Sequence, residues 1–128
     1  MNGHVDQEFL TSFERTFQAS PTHRIHAPGR INLIGEHIDY AGGLVMPMTI
    51  QLGTTALMQP NGRSEIRVYS ERFKEMAIIR PHQVGTGAQG HWSDYARGLL
   101  LTTTHRSVGH GFDLYVTSNL EMGGLSSS

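Results

Sequence analysis

The chain has 128 residues, of which 38% are hydrophobic and 16% charged. That is enough apolar material for a core, so wholesale disorder is excluded and one compact domain, or part of a larger one, is expected. A formal net charge of −1 without a Lys/Arg cluster lacks the electrostatic footprint of a nucleic-acid or acidic-membrane binder, and the absence of cysteine excludes disulfides, thiolate catalysis and Cys-based zinc sites.

The opening MNGHVDQEF has no charged head followed by an apolar run, so no signal peptide is expected. No stretch approaches the roughly 18 apolar residues of a membrane span. The default is a soluble, cytoplasmic protein. Val5, Phe9, Phe13 and Phe17 recur every four residues, which predicts a helix with one apolar face, ended by Pro21. His23 to Ala27 reads as a short strand entering Pro28-Gly29. Gly42-Gly43 marks a turn, and Leu44 to Met48 and Thr54 to Met58 read as two strands. Pro60-Asn61-Gly62 is a turn; Glu65 to Tyr69 alternates as a strand that Ala77 to Ile79 could pair with. Residues 81 to 91 read as a loop. Trp92, Tyr95, Ala96, Leu99, Leu100 and Thr103 fit one helical face, and Phe112, Leu114 and Val116 alternate as a strand. Mixed order of this kind predicts α+β. The pairs Glu14-Arg15, Glu71-Arg72 and Lys74-Glu75 read as solvated surface charges.

Three segments carry chemistry. The first, APGRINLIGEHIDYAGGLVMPM at residues 27 to 48, packs Arg30, Asn32, Glu36, His37, Asp39 and Tyr40 between apolar neighbours. Polar groups this dense need partners if buried, and a polyhydroxylated ligand would supply them. A solvated surface turn accounts for the composition equally well. The second, SNLEMGGLSSS at residues 118 to 128, has the small residues of a phosphate cradle, in which backbone N–H groups and hydroxyls point at an anion and a serine can meet magnesium. A flexible Gly/Ser linker is the competing reading. The third is Trp92 and Tyr95, three residues apart, which suit either a stacking surface for a purine or plain core packing. The eight histidines show no i,i+4 metal-binding pair, so no transition-metal site is expected.

The first segment resembles the galactokinase signature of the GHMP kinase family, G-R-x-N-aliphatic-I-G-E-H-x-D-Y, at every fixed position; Ile38 and Ala41 stand where Thr and Asn are usual. The second resembles that family's P-x-G-x-G-L-S-S-S-A motif through Gly124 to Ser128, without its proline. HWSDYARG, from His91, is similar to the family's W-x-x-Y-x-x-G helix. The resemblance implies the α+β amino-terminal domain of the family, like the second domain of ribosomal protein S5. Residues 1–20 would be a leading helix, 22–50 the sugar motif and 118–128 the start of the ATP-phosphate loop, with the carboxy-terminal domain absent. It implies a monomeric sugar 1-kinase using ATP and Mg2+, acting on a small-molecule sugar and on neither nucleic acid nor membrane. Arg30 would lie at the transferred phosphoryl group. Glu36 and His37 would bind the sugar 6-hydroxyl, and Asp39 the ring hydroxyls. Trp92 would lie near the adenine, and Gly123, Gly124, Ser126, Ser127 and Ser128 would contact ATP phosphates, with Ser128 also meeting magnesium.

The family's catalytic aspartate lies downstream of the serine loop, so the 128 residues alone are expected to be inactive. A galacturonate kinase is the close alternative; Glu36 speaks against it, because a carboxylate at the sugar's C6 would face another. A non-catalytic sugar and ATP sensor is the alternative of another class.

Overall fold

Three phenylalanines one helical turn apart anchor the first element. In the computed structural model, which describes residues 3–35, 37–81, 88–102 and 110–120, helix α1 spans Gly3–Phe17. Phe9, Phe13 and Phe17 are all buried on its inner face, as their spacing predicts. Gln18 closes the helix in the left-handed region (φ 57°), donating its N–H to Glu14 O at 2.9 Å, three residues before Pro21.

Four of the five strands follow in two hairpins. Strand β1 is His23–Ile34, β2 Met46–Pro60, β3 Ile66–Ser70 and β4 Glu75–Ile79. Helix α2, Asp94–Thr102, and strand β5, Phe112–Ser118, complete the described chain. The spatial order is β1-β2-β5-β3-β4. β5 is inserted between the hairpins, antiparallel to β2 and parallel to β3, which makes the sheet mixed. The expected pairing of the 65–69 strand with Ala77–Ile79 holds, with Ile66 opposite Ile79 and Val68 opposite Ala77.

Both faces of the sheet are covered, and the period-two alternation of the strands divides them. On one face Leu57, Tyr69 and Tyr115 pack with the phenylalanines of α1; Tyr115 meets Phe9 edge-on at 5.3 Å between centroids. On the other, Ile66, Val68 and Ile79 pack with Leu114, Val116, Ala96, Leu100 and Trp92, beneath α2.

Two expectations are corrected. The short strand at His23–Ala27 does not stop at Pro28-Gly29: β1 continues to Ile34, with register shifts between Pro28 and Arg30 and between Asn32 and Ile34. As the edge strand it tolerates a proline; the first shift leaves two extra residues on β2 and the second one extra residue on β1. Likewise the two strands expected at Leu44–Met48 and Thr54–Met58 are one 15-residue strand, which begins at Met46. Gly53 at its centre is not a break. It is a site of close approach, where a Cβ would lie 2.4 Å from the Ala27 carbonyl oxygen. β5 pairs with β2 only from Thr54 to Pro60, so beyond the register shift at residues 50–52 Met46–Thr49 pairs with β1 alone, as a two-stranded ribbon.

Candidate functional site

The ribbon carries the first polar segment. Past the register shift, Arg30 sits on β1 opposite Thr49, its side chain exposed and without a hydrogen bond to another described residue. Asn32 follows opposite Pro47; its side-chain oxygen is buried and has no hydrogen-bond partner among the described residues.

β1 then turns over at Gly35. The Gly35 carbonyl accepts the Ile38 N–H at 3.2 Å, and the Ile38 carbonyl accepts from Ala41 (3.1 Å) and Gly43 (2.8 Å). This closes a short 3-10 helix, Asp39–Ala41, with Gly42 in the left-handed region, as in a Schellman cap. His37 is also left-handed (φ 66°), an arrangement that costs a non-glycine residue roughly 1–2 kcal/mol. Its exposed ring stands edge-on to Tyr40 at 6.3 Å. Of the sugar-motif residues, then, Arg30 and His37 are placed on one continuous stretch of ribbon and turn, and Asp39 opens the 3-10 helix. Glu36 and the side chain of Asp39 lie outside the described residues.

The second segment enters from β5. At its end Asn119 locks onto β2 through both of its polar groups: its side-chain oxygen accepts the Gly53 N–H at 2.7 Å, and its own N–H donates to Gly53 O at 3.2 Å. Leu120 then lies across β1. A Cβ on Gly29 would come within 2.7 Å of Leu120 Cδ2, so the glycine lets the leucine side chain sit close against the β1 backbone. Arg72 fixes the same turn, donating from Nη1 to the Leu120 carbonyl at 3.2 Å. The segment that follows β5 thus reaches Gly29, the residue next to Arg30. Gly123, Gly124, Ser126, Ser127 and Ser128 lie outside the described residues.

Beside Leu120 opens a cavity of about 480 Å³, mostly apolar, between the sheet and α2. Val68, Leu114 and Val116 form its floor, Phe73 and Trp92 one side, and Tyr95 its rim. Trp92 does not belong to α2 as its spacing with Tyr95 suggested. Ser93 is the N-cap, its carbonyl accepting the Arg97 N–H at 3.0 Å, and the Asp94 carboxylate reaches back to the N–H groups of Gln89 (2.7 Å) and His91 (3.2 Å). These bonds form a turn ahead of the helix. Trp92 and Tyr95 nevertheless line one cavity. Burial pushes the Asp94 carboxyl up, but the backbone donors and Arg97 outweigh it and hold the carboxyl below its usual value.

Sequence reasoning passed over three residues here. Arg72 and Glu75 read as surface charges, yet Arg72 holds Leu120 and Glu75 accepts from Trp92 Nε1 at 2.9 Å. Phe73 stacks on Trp92 at 5.8 Å and 12°. A phenylalanine inside an otherwise charged turn, ERFKE, was the available signal. Among the described residues no group of three or more His, Asp or Glu could hold a metal ion, and no helix is long and apolar enough to cross a membrane.

Comparison with known proteins bears on both parts of this arrangement. By fold, the chain matches the mevalonate kinase of Methanococcus jannaschii with a TM-score of 0.62 at 18% identity, over 82% of this chain and 34% of that one. It matches the Lactococcus lactis galactokinase, solved in complex with galactose, with a TM-score of 0.81 at 32% identity, over 97% of this chain and 34% of that one. The class is therefore that of the GHMP kinase fold. Within it, the family profile described as the galactokinase galactose-binding signature matches residues 11–60. Curated galactokinases of Lacticaseibacillus casei and Exiguobacterium sibiricum are each 40% identical, over 91% and 97% of this chain. The chain carries the galactokinase signature on the galactokinase fold. It spans about a third of the length of the curated relatives it matches, 31% and 33% for these two.

Proposed function

We propose that this chain forms the galactose-binding and nucleotide-binding face of an ATP-dependent galactose 1-kinase, a cytoplasmic monomer with galactose and MgATP as its substrates. The observation that carries the reading is the seat of Leu120 on Gly29. It joins the strand bearing the sugar signature to the strand leading into the serine loop, so that ligands of the two segments would meet near Arg30. The similarity to galactokinases over nearly the whole chain supports the same reading.

In the proposed reaction the anomeric hydroxyl of galactose attacks the γ-phosphorus of ATP. A new P–O bond forms, the bond to the β-phosphate oxygen breaks, and ADP leaves. Catalysis of this kind is mostly positioning and charge compensation. Glu36, His37 and Asp39 would hold sugar hydroxyls through charge-assisted and neutral hydrogen bonds and so aim the C1 oxygen. Arg30, whose exposed side chain makes no hydrogen bond to another described residue, would offset charge on the moving phosphoryl group with its permanently charged, planar guanidinium. Gly123, Gly124 and Ser126 to Ser128 would cradle the phosphates, with Ser128 beside the magnesium carried in by ATP. The apolar cavity would take the adenine. The proton leaving the C1 hydroxyl would go to the family's aspartate, which is not among the motif residues of this chain.

The test is galactose-dependent ADP release by the protein that carries this chain. Arg30→Ala should lower kcat about 10²–10³-fold, the usual cost of removing a charge-stabilising donor, while leaving the affinity for galactose within a few-fold. Phosphorylation of galacturonate in preference to galactose would overturn the substrate assignment. ATP and galactose binding without turnover would make the protein a sensor instead.

A further inference from the structure

One carboxylate outside the sugar segment sits behind the cavity's aromatic side with both oxygens in use. Glu75, the first residue of β4, accepts from Trp92 Nε1 at Oε2 (2.9 Å) and from His91 Nε2 at Oε1 (3.2 Å). The His91 ring is oriented from its other side. The Ser93 N–H donates to His91 Nδ1 at 3.3 Å, and the buried Ser93 hydroxyl lies 2.8 Å from the same atom. With Nδ1 accepting a backbone N–H, Nε2 is the ring nitrogen that donates to Glu75. The result is a chain of contacts, Ser93 to His91 to Glu75 to Trp92. It fixes the indole from the edge while Phe73 fixes it face to face. The indole and Phe73 both line the cavity.

We propose that Glu75 is a positioning residue for the nucleotide: it holds the Trp92 indole as the wall against which the adenine of ATP packs. The inference rests on the reading of this cavity as the base site. An indole has two free torsions, and a base that must first order them binds more weakly than one meeting a wall already in place. Glu75 touches neither ATP nor sugar in this scheme, so its removal acts on the ATP Michaelis constant and on the indole, not on turnover.

Trp92 is the only tryptophan of the 128-residue chain, so its emission reports the indole's own surroundings without nucleotide. Glu75→Ala should shift that emission to the red and raise its quenching by acrylamide. In the intact protein the same change should raise KM for ATP about three- to ten-fold, the worth of one or two hydrogen bonds, with kcat and KM for galactose unchanged. Glu75→Gln keeps a carbonyl acceptor and should restore most of both signals. If Glu75→Ala does not fold, as judged by circular dichroism, Glu75→Met, of like length but without an acceptor, takes its place. A wild-type value in either readout, emission or KM for ATP, overturns the proposal. Trp92→Ala separates this from the reading beneath it. If that variant keeps the wild-type KM for ATP, the cavity is not the base site, whatever the emission shows.

Discussion

Four hydrogen bonds converge on the carboxylate of Asp113, a residue with no exposed surface. Arg67 supplies two, Nε to Oδ1 at 2.7 Å and Nη2 to Oδ2 at 2.6 Å; Asn61 and Gln59 donate one each. The Arg67 guanidinium also lies 5.2 Å over the ring of Phe17, so the cluster ties β2, β3 and β5 to the end of α1. Burial pushes the Asp113 carboxyl up; the donors and the Arg67 charge outweigh it and hold the carboxyl below its usual range. Protons therefore bind more readily to the unfolded chain. The network's contribution is fully present above about pH 4, the ordinary Asp value, and is lost as pH falls through the lower folded value. Asp113→Ala, which strands the guanidinium, should cost about 3–5 kcal/mol in urea unfolding at pH 7. Between pH 5 and 3 the wild type should lose stability more steeply than the variant, and parallel slopes would argue against this account.

At the scale of elements, legibility in the sequence follows burial. Phe9, Phe13 and Phe17 are readable because one face of α1 is buried and the other is not, and Ile66 and Val68 because alternate positions of β3 face different layers. Asp113 is not readable: between Phe112 and Leu114 it looks like the solvated half of an alternating strand, whereas that face lies under α1. Gly53 misleads for a related reason. A glycine signals a break or a close approach alike, and only the crossing of β1 decides between them. Gly53→Ala would drive a Cβ into the Ala27 carbonyl and the His26 ring, and should cost about 2–3 kcal/mol by thermal or urea unfolding. The polar segment at residues 30–40 is legible as a cluster because its members are close in sequence. The link between Glu75 and Trp92 is not, since their meeting depends on how the β3–β4 hairpin and α2 share the sheet.

For the whole molecule, strand order is where local reading stops. Nothing in residues 112–118 says that β5 enters between β2 and β3, parallel to the latter, because that pairing is settled by long-range closure. This order nonetheless determines where the segment that follows β5 meets β1. The insertion of β5 carries residue 120 to Gly29.

It also divides one strand into two mechanical regimes. From Thr54 to Met58, β2 has a neighbour on either side; from Met46 to Thr49 it leans on β1 alone, like a diving board clamped at the Asn119–Gly53 bonds. Amide deuteration should thus be slow for residues 54–58 and markedly faster for 48–52 along the same strand, with galactose slowing chiefly the outer half. Equal rates along its length would mean that the board is as stiff as its mount. If the gradient is found, then on the proposed reading a sugar arriving at the tip would damp a motion whose pivot lies beside Leu120 and the apolar cavity.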